Sequence, residues 1–271
     1  MKVSLLISTY NSPEALEACL KGVLNQTIPP HEVLIADDGS TTPRTREVIE
    51  AFREQVDYPV VHAWQPNEGF RAGTIRNKAI SRSTGDYIVQ IDGDILIEPH
   101  FIADHMCYAR PGRFACGSRV ILNQKLTPKV YANPAMRIGP LTKGIANRKN
   151  AIRSSLLAAF FNRLPSESLK YRGCNMAFWR SDFMAVNGYD DTYNGWGCED
   201  HDLVARLMNN GVRPLQIRHM AVCFHMWHPS SKKSDSFARN NELLEQTRRE
   251  HRTWCEKGVN QYLDNPTVPQ E

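Results

Sequence analysis

Short continuous apolar runs alternate with helically spaced apolar positions along the first part of the chain. Val3 to Ile7 is uninterrupted, and Leu16, Leu20, Val23 and Leu24 then recur on one face of a helix that Ser12-Pro13 opens and that stops before Pro29-Pro30. Val33 to Ala36 is the next run, ending in Asp37-Asp38-Gly39-Ser40, and the segment from Thr41 to Phe52 predicts a helix. A third strand, Val60 to Trp64, precedes a helix marked by Ala72, Ile75, Ala79 and Ile80, and Tyr87 to Ile91 is a further run. A strand, a helix and a strand within about forty residues form a βαβ unit with a right-handed crossover and parallel strands.

Farther along, Phe101 to Ala109 reads as a short helix and Phe114 to Leu122 as one strand containing Gly117. From Asn123 to about Lys170 the pattern weakens: Pro128, Pro134, Pro140 and Pro165 interrupt it, and Lys125, Lys129, Arg137, Lys143, Arg148, Lys149 and Arg153 make it basic. A long irregular insert of this kind is more often a lid or binding loop than a linker. Order returns with a strand at Gly173 to Trp179 and a short helix from Ser181 to Val186. Leu203, Val204, Leu207 and Met208 then form a helical face that Gly211 terminates, and Ala221 to Phe224 is a last core strand. The tail from Asp235 to Lys257 is an amphipathic basic helix, suited to packing on the domain or to lying on an anionic membrane.

At 271 residues and 41% hydrophobic, the chain can bury a sizeable core. Thirty-three basic against 29 acidic residues leave a net charge of +4, which suits a phosphorylated substrate and is too dispersed to argue for nucleic acid. The seven cysteines include no C-x-x-C pair and leave one over, the usage of a reducing compartment. With no charged leader and no apolar run near the roughly 20 residues that cross a bilayer, the expectation is a cytoplasmic protein, at most resting on the inner face of the plasma membrane.

The candidate chemistry collects at strand ends. Tyr87 to Ile91 stops abruptly at Asp92-Gly93-Asp94, and apolar residues resume at once in Ile95, Leu96 and Ile97. The triplet could be a solvated turn between strand and loop; the alternative is that the two carboxylates face a partner, because an unpaired buried charge costs several kcal/mol, and a divalent metal bridging two phosphates is the favoured one. Gly93 would let such a group approach closely. Thr9, Asp37, Asp38, Asp92 and Asp94 could line one crevice, although Asp37 and Asp38 could instead cap a helix and form a turn. Arg76 is the cation expected in the cleft, with a purely structural ion pair to Asp92 or Asp37 as the alternative. Glu199 and Asp200 sit at a helix amino terminus, where acids are ordinarily caps; the preceding Asn194-Gly195-Trp196-Gly197 holds an aromatic between glycines, as a platform for a sugar ring would be. His225 and His228 follow the last strand and could complete a metal site with a carboxylate, a donor set that suits Mn²⁺ or Zn²⁺.

These residues carry a resemblance. VSLLISTYNSPEALEACLKGVLNQT at the start, ADDGS at 36–40, GFRAGTIRNKAI at 69–80 and IDGD at 91–94 resemble the family-2 glycosyltransferases of the GT-A fold. GYDDTYNGWGCEDHDLVARLMNNGV followed by FHMWHP is similar to the carboxyl-terminal half of β1,4-galactosyltransferases, polypeptide N-acetylgalactosaminyltransferases and chondroitin-type polymerases. The resemblance implies an α/β, Rossmann-like, mostly parallel central sheet flanked by helices. It also implies a division into a nucleotide-sugar-binding half (1–125), a variable acceptor-side insert (126–170), an acceptor-binding and catalytic half (171–232) and a carboxyl-terminal basic helix and tail (233–271).

By the same resemblance, Thr9, Tyr10, Asn11 and Asp38 hold the uridine, Arg76 neighbours the uracil and diphosphate, Asp92 and Gly93 approach the ribose and phosphates, and Asp94 binds Mn²⁺ or Mg²⁺ with His225 or His228. Trp196 sits at the sugar, Glu199 hydrogen-bonds the acceptor and Asp200 is the base. The implied reaction is inverting transfer of a hexose or N-acetylhexosamine, galactose or N-acetylgalactosamine favoured, from a UDP-sugar to a hydroxyl of a bacterial surface glycan or lipid-linked saccharide. The Q-x-x-R-W of membrane-embedded processive synthases is missing. A sugar nucleotidyltransferase lacks its glycine-rich, lysine-bearing loop here, and a non-catalytic carbohydrate-binding protein would leave five strand-end acids to structure alone.

Overall fold

The apolar runs at the start of the chain become β1 (Val3–Thr9), β2 (Glu32–Asp37), β3 (Val60–Trp64) and β4 (Tyr87–Asp92), all mutually parallel, with β1 between β2 and β4. They are joined by α1 (Pro13–Leu24), α2 (Pro43–Arg53) and α3 (Ala72–Ser81). Because side chains alternate across a strand, Leu5 and Ile7 pack with Leu16, Leu20 and Ile49 on one face, while Leu6 packs with Ile75 and Ile80 on the other. Both faces are covered, so the strands are apolar throughout. This computed structural model describes residues 1–162, 171–229 and 235–263; Pro165 of the expected insert and the chain beyond Leu263 fall outside them.

After β5 (Ile95–Ile97) and α4 (Phe101–Tyr108), the stretch expected as one strand from Phe114 to Leu122 divides into β6 (Arg113–Cys116) and β7 (Arg119–Leu122), which join different sheets. The break is at Gly117, whose N–H donates to the Asn175 carbonyl at 2.9 Å and where a Cβ would lie 2.2 Å from the Asn175 side chain. Within the basic insert lie α5 (Thr127–Ala132), β8 (Ile145–Ala146) and α6 (Ser155–Phe161). Gly173–Asn175 is a 3₁₀ turn, so the expected strand there begins only at β9 (Met176–Trp179), followed by α7 (Arg180–Ala185). Then come α8 (Glu199–Asn209), an unanticipated β10 (Arg213–Gln216), β11 (Cys223–His225) and α9 (Asp235–Arg249). Met208, expected on the buried face of α8, is exposed.

Among the described residues the larger sheet has the order β10-β6-β9-β4-β1-β2-β3, with only β9 antiparallel to its neighbours, and a smaller sheet has the order β5-β11-β7-β8. α9 ends at Arg249, short of the expected Lys257, and it packs on the domain: Leu244 and Phe237 lie with Tyr193 and Cys198. No helix among the described residues is long and apolar enough to cross a membrane.

α8 is anchored by a buried ion pair. The Arg206 Nε donates to Asp202 at 2.8 Å and Nη1 donates to the carbonyls of Val186 and Gly188, while Thr247 of α9 donates to the other Asp202 oxygen at 2.7 Å. Asp202→Ala would leave a guanidinium buried without its counter-charge, so unfolding free energy should drop by about 3–5 kcal/mol. Denaturant titration checks this, and a loss under about 1 kcal/mol would show that the pair anchors nothing.

Candidate active site

The carboxyl ends of β1, β2 and β4 meet at one edge, with Ser8 opposite Asp92 and Thr9 opposite Asp37 in the strand registers. This is the edge where open α/β sheets bind ligands. Asp37 is turned into its own loop, accepting from Ser40 N at 2.8 Å and lying 3.2 Å from His62 Nε2. Asp38 accepts from Gln65 Nε2 at 2.6 Å and from the Arg71 N–H at 2.8 Å, and burial raises its pKa. Beside it, Thr9 Oγ1 is buried without a hydrogen-bond partner, and Tyr10 exposes its ring while its hydroxyl accepts from Asn67. Asn11, in the left-handed region at φ 43°, uses its side-chain oxygen on Thr41 N and so shapes the same loop.

Arg76 joins the two halves of the site. From α3 its guanidinium donates through Nε to Ser8 Oγ at 2.9 Å, through Nη2 to Asp92 at 3.0 Å and through Nη1 to Asp200 at 3.1 Å, with Glu199 at 3.8 Å. Burial opposes its charge, but Asp200, Asp92 and Glu199 outweigh burial and raise its pKa. The ion pair with Asp92 therefore forms; the one with Asp37 does not, and the bond to Asp200 reaches across the cleft.

Asp94 lies on the turn between β4 and β5, and the pairing of β5 with β11 brings the histidines to it: His225 stands opposite Ile95, and Met226 N donates to the Asp94 carbonyl at 2.9 Å. His225 Nε2 is 3.5 Å and His228 Nε2 is 3.2 Å from Asp94 Oδ2, and one ligand atom from each of the three residues falls within 4.8 Å of the others. The set fits a divalent ion. His228 Nδ1 faces the Pro229 carbonyl at 3.0 Å and must carry its proton there, so a neutral His228 turns a bare Nε2 lone pair toward a carboxylate oxygen. Asp94 Oδ1 is buried and unpartnered, and the pKa of His225 is lowered to about 4, chiefly by burial, which keeps that imidazole neutral as well. A cation among the three would satisfy all of these groups. Gly93 N–H donates to the Ser8 carbonyl at 2.7 Å, and a Cβ at Gly93 would come within 3.0 Å of that oxygen.

On the far side, Glu199 and Asp200 start α8 behind Asn194-Gly195-Trp196-Gly197. Gly195 and Gly197 have φ of 81° and 107°, and a Cβ on Gly197 would lie 2.9 Å from the Phe237 ring. Trp196 stacks on Phe237 with 6.0 Å between centroids, and Asn240 of α9 donates to the carbonyls of Asn194, Gly195 and Gly197. Asp200 accepts from Arg76, from the Tyr189 hydroxyl at 2.9 Å and from Gly173 N at 3.1 Å. Glu199 is pushed up to about 7, first by burial and then by the charge of Asp200. Sequence reasoning missed Tyr189, Gly173 and Arg119, which lines the same cleft. A Cβ at Gly173 would sit 2.3 Å from Asp200 Oδ2, a contact that only the tertiary structure reveals.

The chain belongs to glycosyl transferase family 2, whose model matches residues 4–166. A second model, the N-terminal domain of galactosyltransferase, matches residues 154–229. The chain is 26% identical over 230 residues to validoxylamine A glucosyltransferase of Streptomyces hygroscopicus subsp. limoneus, covering 78% of this chain and 48% of that protein. It is 25% identical over 225 residues to the hyaluronan synthase of Pasteurella multocida, covering 77% and 23%. It thus spans about half or less of these relatives. Among solved structures, GalNAc-T7 with UDP, GalNAc and Mn²⁺ matches with a TM-score of 0.66 at 14% identity, over 91% of this chain and 48% of that one. TarS of S. aureus matches with a TM-score of 0.61 at 17% identity, over 91% and 39%. The fold is the GT-A fold.

Because Asp94 is raised to about 7 by burial and by Asp92, it must release a proton to ligate. Mn²⁺ affinity, followed by electron paramagnetic resonance, should weaken as pH falls below about 7 and collapse in Asp94→Asn. Equal affinity of wild type and variant would remove Asp94 from the site.

Proposed function

We propose that the chain is the catalytic unit of an inverting, metal-dependent glycosyltransferase moving galactose or N-acetylgalactosamine from a UDP-sugar to a hydroxyl of a bacterial surface glycan or lipid-linked saccharide. The observation that carries the reading is the span made by Arg76, which ties a strand-end acid beside a metal-competent cluster to the two acids at the start of α8. The match of residues 154–229 to the galactosyltransferase model supports the choice of sugar. The GalNAc-T7 complex with UDP and Mn²⁺ supports the donor and the ion.

In this reading Asp38, Thr9, Tyr10 and Asn11 form the uridine end and Asp92 and Gly93 approach the ribose and phosphates. Asp94, His225 and His228 would hold Mn²⁺, which supplies positive charge to the leaving diphosphate. Asp200 accepts the proton of the acceptor hydroxyl while that oxygen attacks the anomeric carbon from the face opposite UDP. The bond from anomeric carbon to phosphate oxygen breaks, its electron pair leaves on UDP, and the configuration inverts. The donors from Arg76, Tyr189 and Gly173 fix the orientation of Asp200, so this base works by position. Glu199, neutral below about 7, donates a hydrogen bond to the acceptor, and the exposed Trp196 ring backs the sugar.

One observation favours a second assignment, with Glu199 as the base: its pKa of about 7 is the value at which a carboxylate exchanges protons best near neutrality. The pH profile separates the two. A protonated Glu199 that binds the acceptor makes activity fall as pH rises through about 7, and Glu199→Gln, a permanent donor, loses that limb. A basic Glu199 makes activity rise through the same range, and Glu199→Gln abolishes it. With Asp200 as the base, Asp200→Asn lowers kcat by roughly 10²-fold or more while the UDP dissociation constant stays put. Near-wild-type kcat in that variant excludes Asp200, and Mn²⁺-dependent hydrolysis screened across UDP-sugars tests the donor.

A further inference from the structure

The cleft in front of Glu199 and Asp200, about 430 Å³ in volume, is unevenly charged. Its inner end holds Asp92, Glu199 and Asp200 gathered on Arg76, whereas the remaining wall carries Arg119, Arg172 and Arg248. Arg119 projects from β7, and its Nε is buried with no hydrogen-bond partner; Nη1 reaches Cys174 Sγ at 3.4 Å, a weak acceptor. Arg172 is close enough to feel it: burial first, and the Arg119 charge second, lower the Arg172 pKa. Asp92 and Asp94 feel the Arg119 charge without pairing directly with it: Asp92 is bonded to Arg76, and Asp94 lies beside the histidines.

Two partly buried guanidiniums that repel each other and form no direct ion pair with a carboxylate of the described residues are costly unless an anion joins them. Arginine forks suit that task, since they match both carboxylate and phosphate oxygens in pairs. The supply of cations is a property of the sequence too: no Asp or Glu occurs from His105 to Ser166, a stretch with 11 Lys and Arg residues. Arg248, farther along on α9 and paired with Glu245 at 2.7 Å, extends the positive wall beyond the Trp196–Phe237 stack.

Resting on the reading of this cleft as the acceptor site, we propose that the acceptor is an acidic saccharide whose carboxylate or phosphate is received by Arg119 and Arg172, with Arg248 meeting a further charge along the chain. The aromatic stack takes the sugar face and the arginines take the oxyanion, which distinguishes an acidic glycan from a neutral one of the same size.

Binding tests this without requiring turnover. The protein is titrated calorimetrically with an oligosaccharide of alternating hexuronic acid and N-acetylhexosamine, with the same compound after carboxyl reduction, and with a polyol-phosphate oligomer. Wild type should bind at least one acidic probe about tenfold or more tightly than the reduced one, a preference that salt erodes. The probe preferred tells carboxylate from phosphate. Arg172→Gln should abolish the preference and Arg172→Lys retain part of it, with the UDP dissociation constant unchanged in both. Equal binding of acidic and reduced probes by wild type overturns the proposal, as does equal weakening of both probes in Arg172→Gln. Weakened UDP binding in that variant also overturns it, by assigning the arginine to the donor diphosphate. Failure of wild type to turn over any UDP-sugar with Mn²⁺ would strike the transferase reading alone, because the binding preference is measured separately.

Discussion

One buried guanidinium serves three carboxylates. Arg76 reaches Ser8 on β1, Asp92 on β4 and Asp200 on α8, so the sheet edge and the start of α8 are held at a fixed separation by hydrogen bonds from a single planar group. Its one positive charge does not balance Asp92, Glu199 and Asp200 together. The deficit is visible in the raised pKa values of Asp92 and Glu199, where burial leads and neighbouring carboxylates add to it. A site arranged in this way stores an appetite for cations near Asp94 and for protons at Glu199. Arg119 offsets part of the charge at Asp92 and Asp94 without an ion pair to either, and with Arg172 it gives the same cleft a positive side.

The fold was legible wherever a signal was local. β1 to β4 and their helices each carry an apolar period with its own punctuation, and Asp92-Gly93-Asp94 and Glu199-Asp200 stand out because charge follows directly on buried chain. What the sequence hid depends on partners far away. Gly117 looks like an ordinary strand glycine until Asn175 is seen to lie against it, and the break there separates β6 from β7. Tyr189 reads as a core aromatic, which it is, yet its single hydroxyl proton lies within hydrogen-bond reach of both Gln90 and Asp200. Arg119 is concealed in an apolar strand. His225 and His228 could not be placed from sequence because the pairing of β5 with β11 sets their position, and both rings lie beside Asp94.

The smaller sheet therefore has a positional role distinct from the larger one. The parallel strands deliver their acids from above the sheet edge, as any open α/β sheet would. The short strands β5, β11 and β7 instead bring the far half of the chain back to that edge, with His225 and Arg119 as their contribution.

The hold of Asn240 on the carbonyls of Asn194, Gly195 and Gly197 has a consequence for how this chain tolerates change. A loop with two glycines at positive φ has little stiffness of its own, so its order is borrowed from a helix that follows it by many residues. α9 is then part of the cleft wall and not an appendage, with Phe237, Leu244 and Arg248 lining it. A shift of this helix by a fraction of a turn would reshape the cleft beside Trp196 while leaving Arg76 and the acids bonded to it where they are.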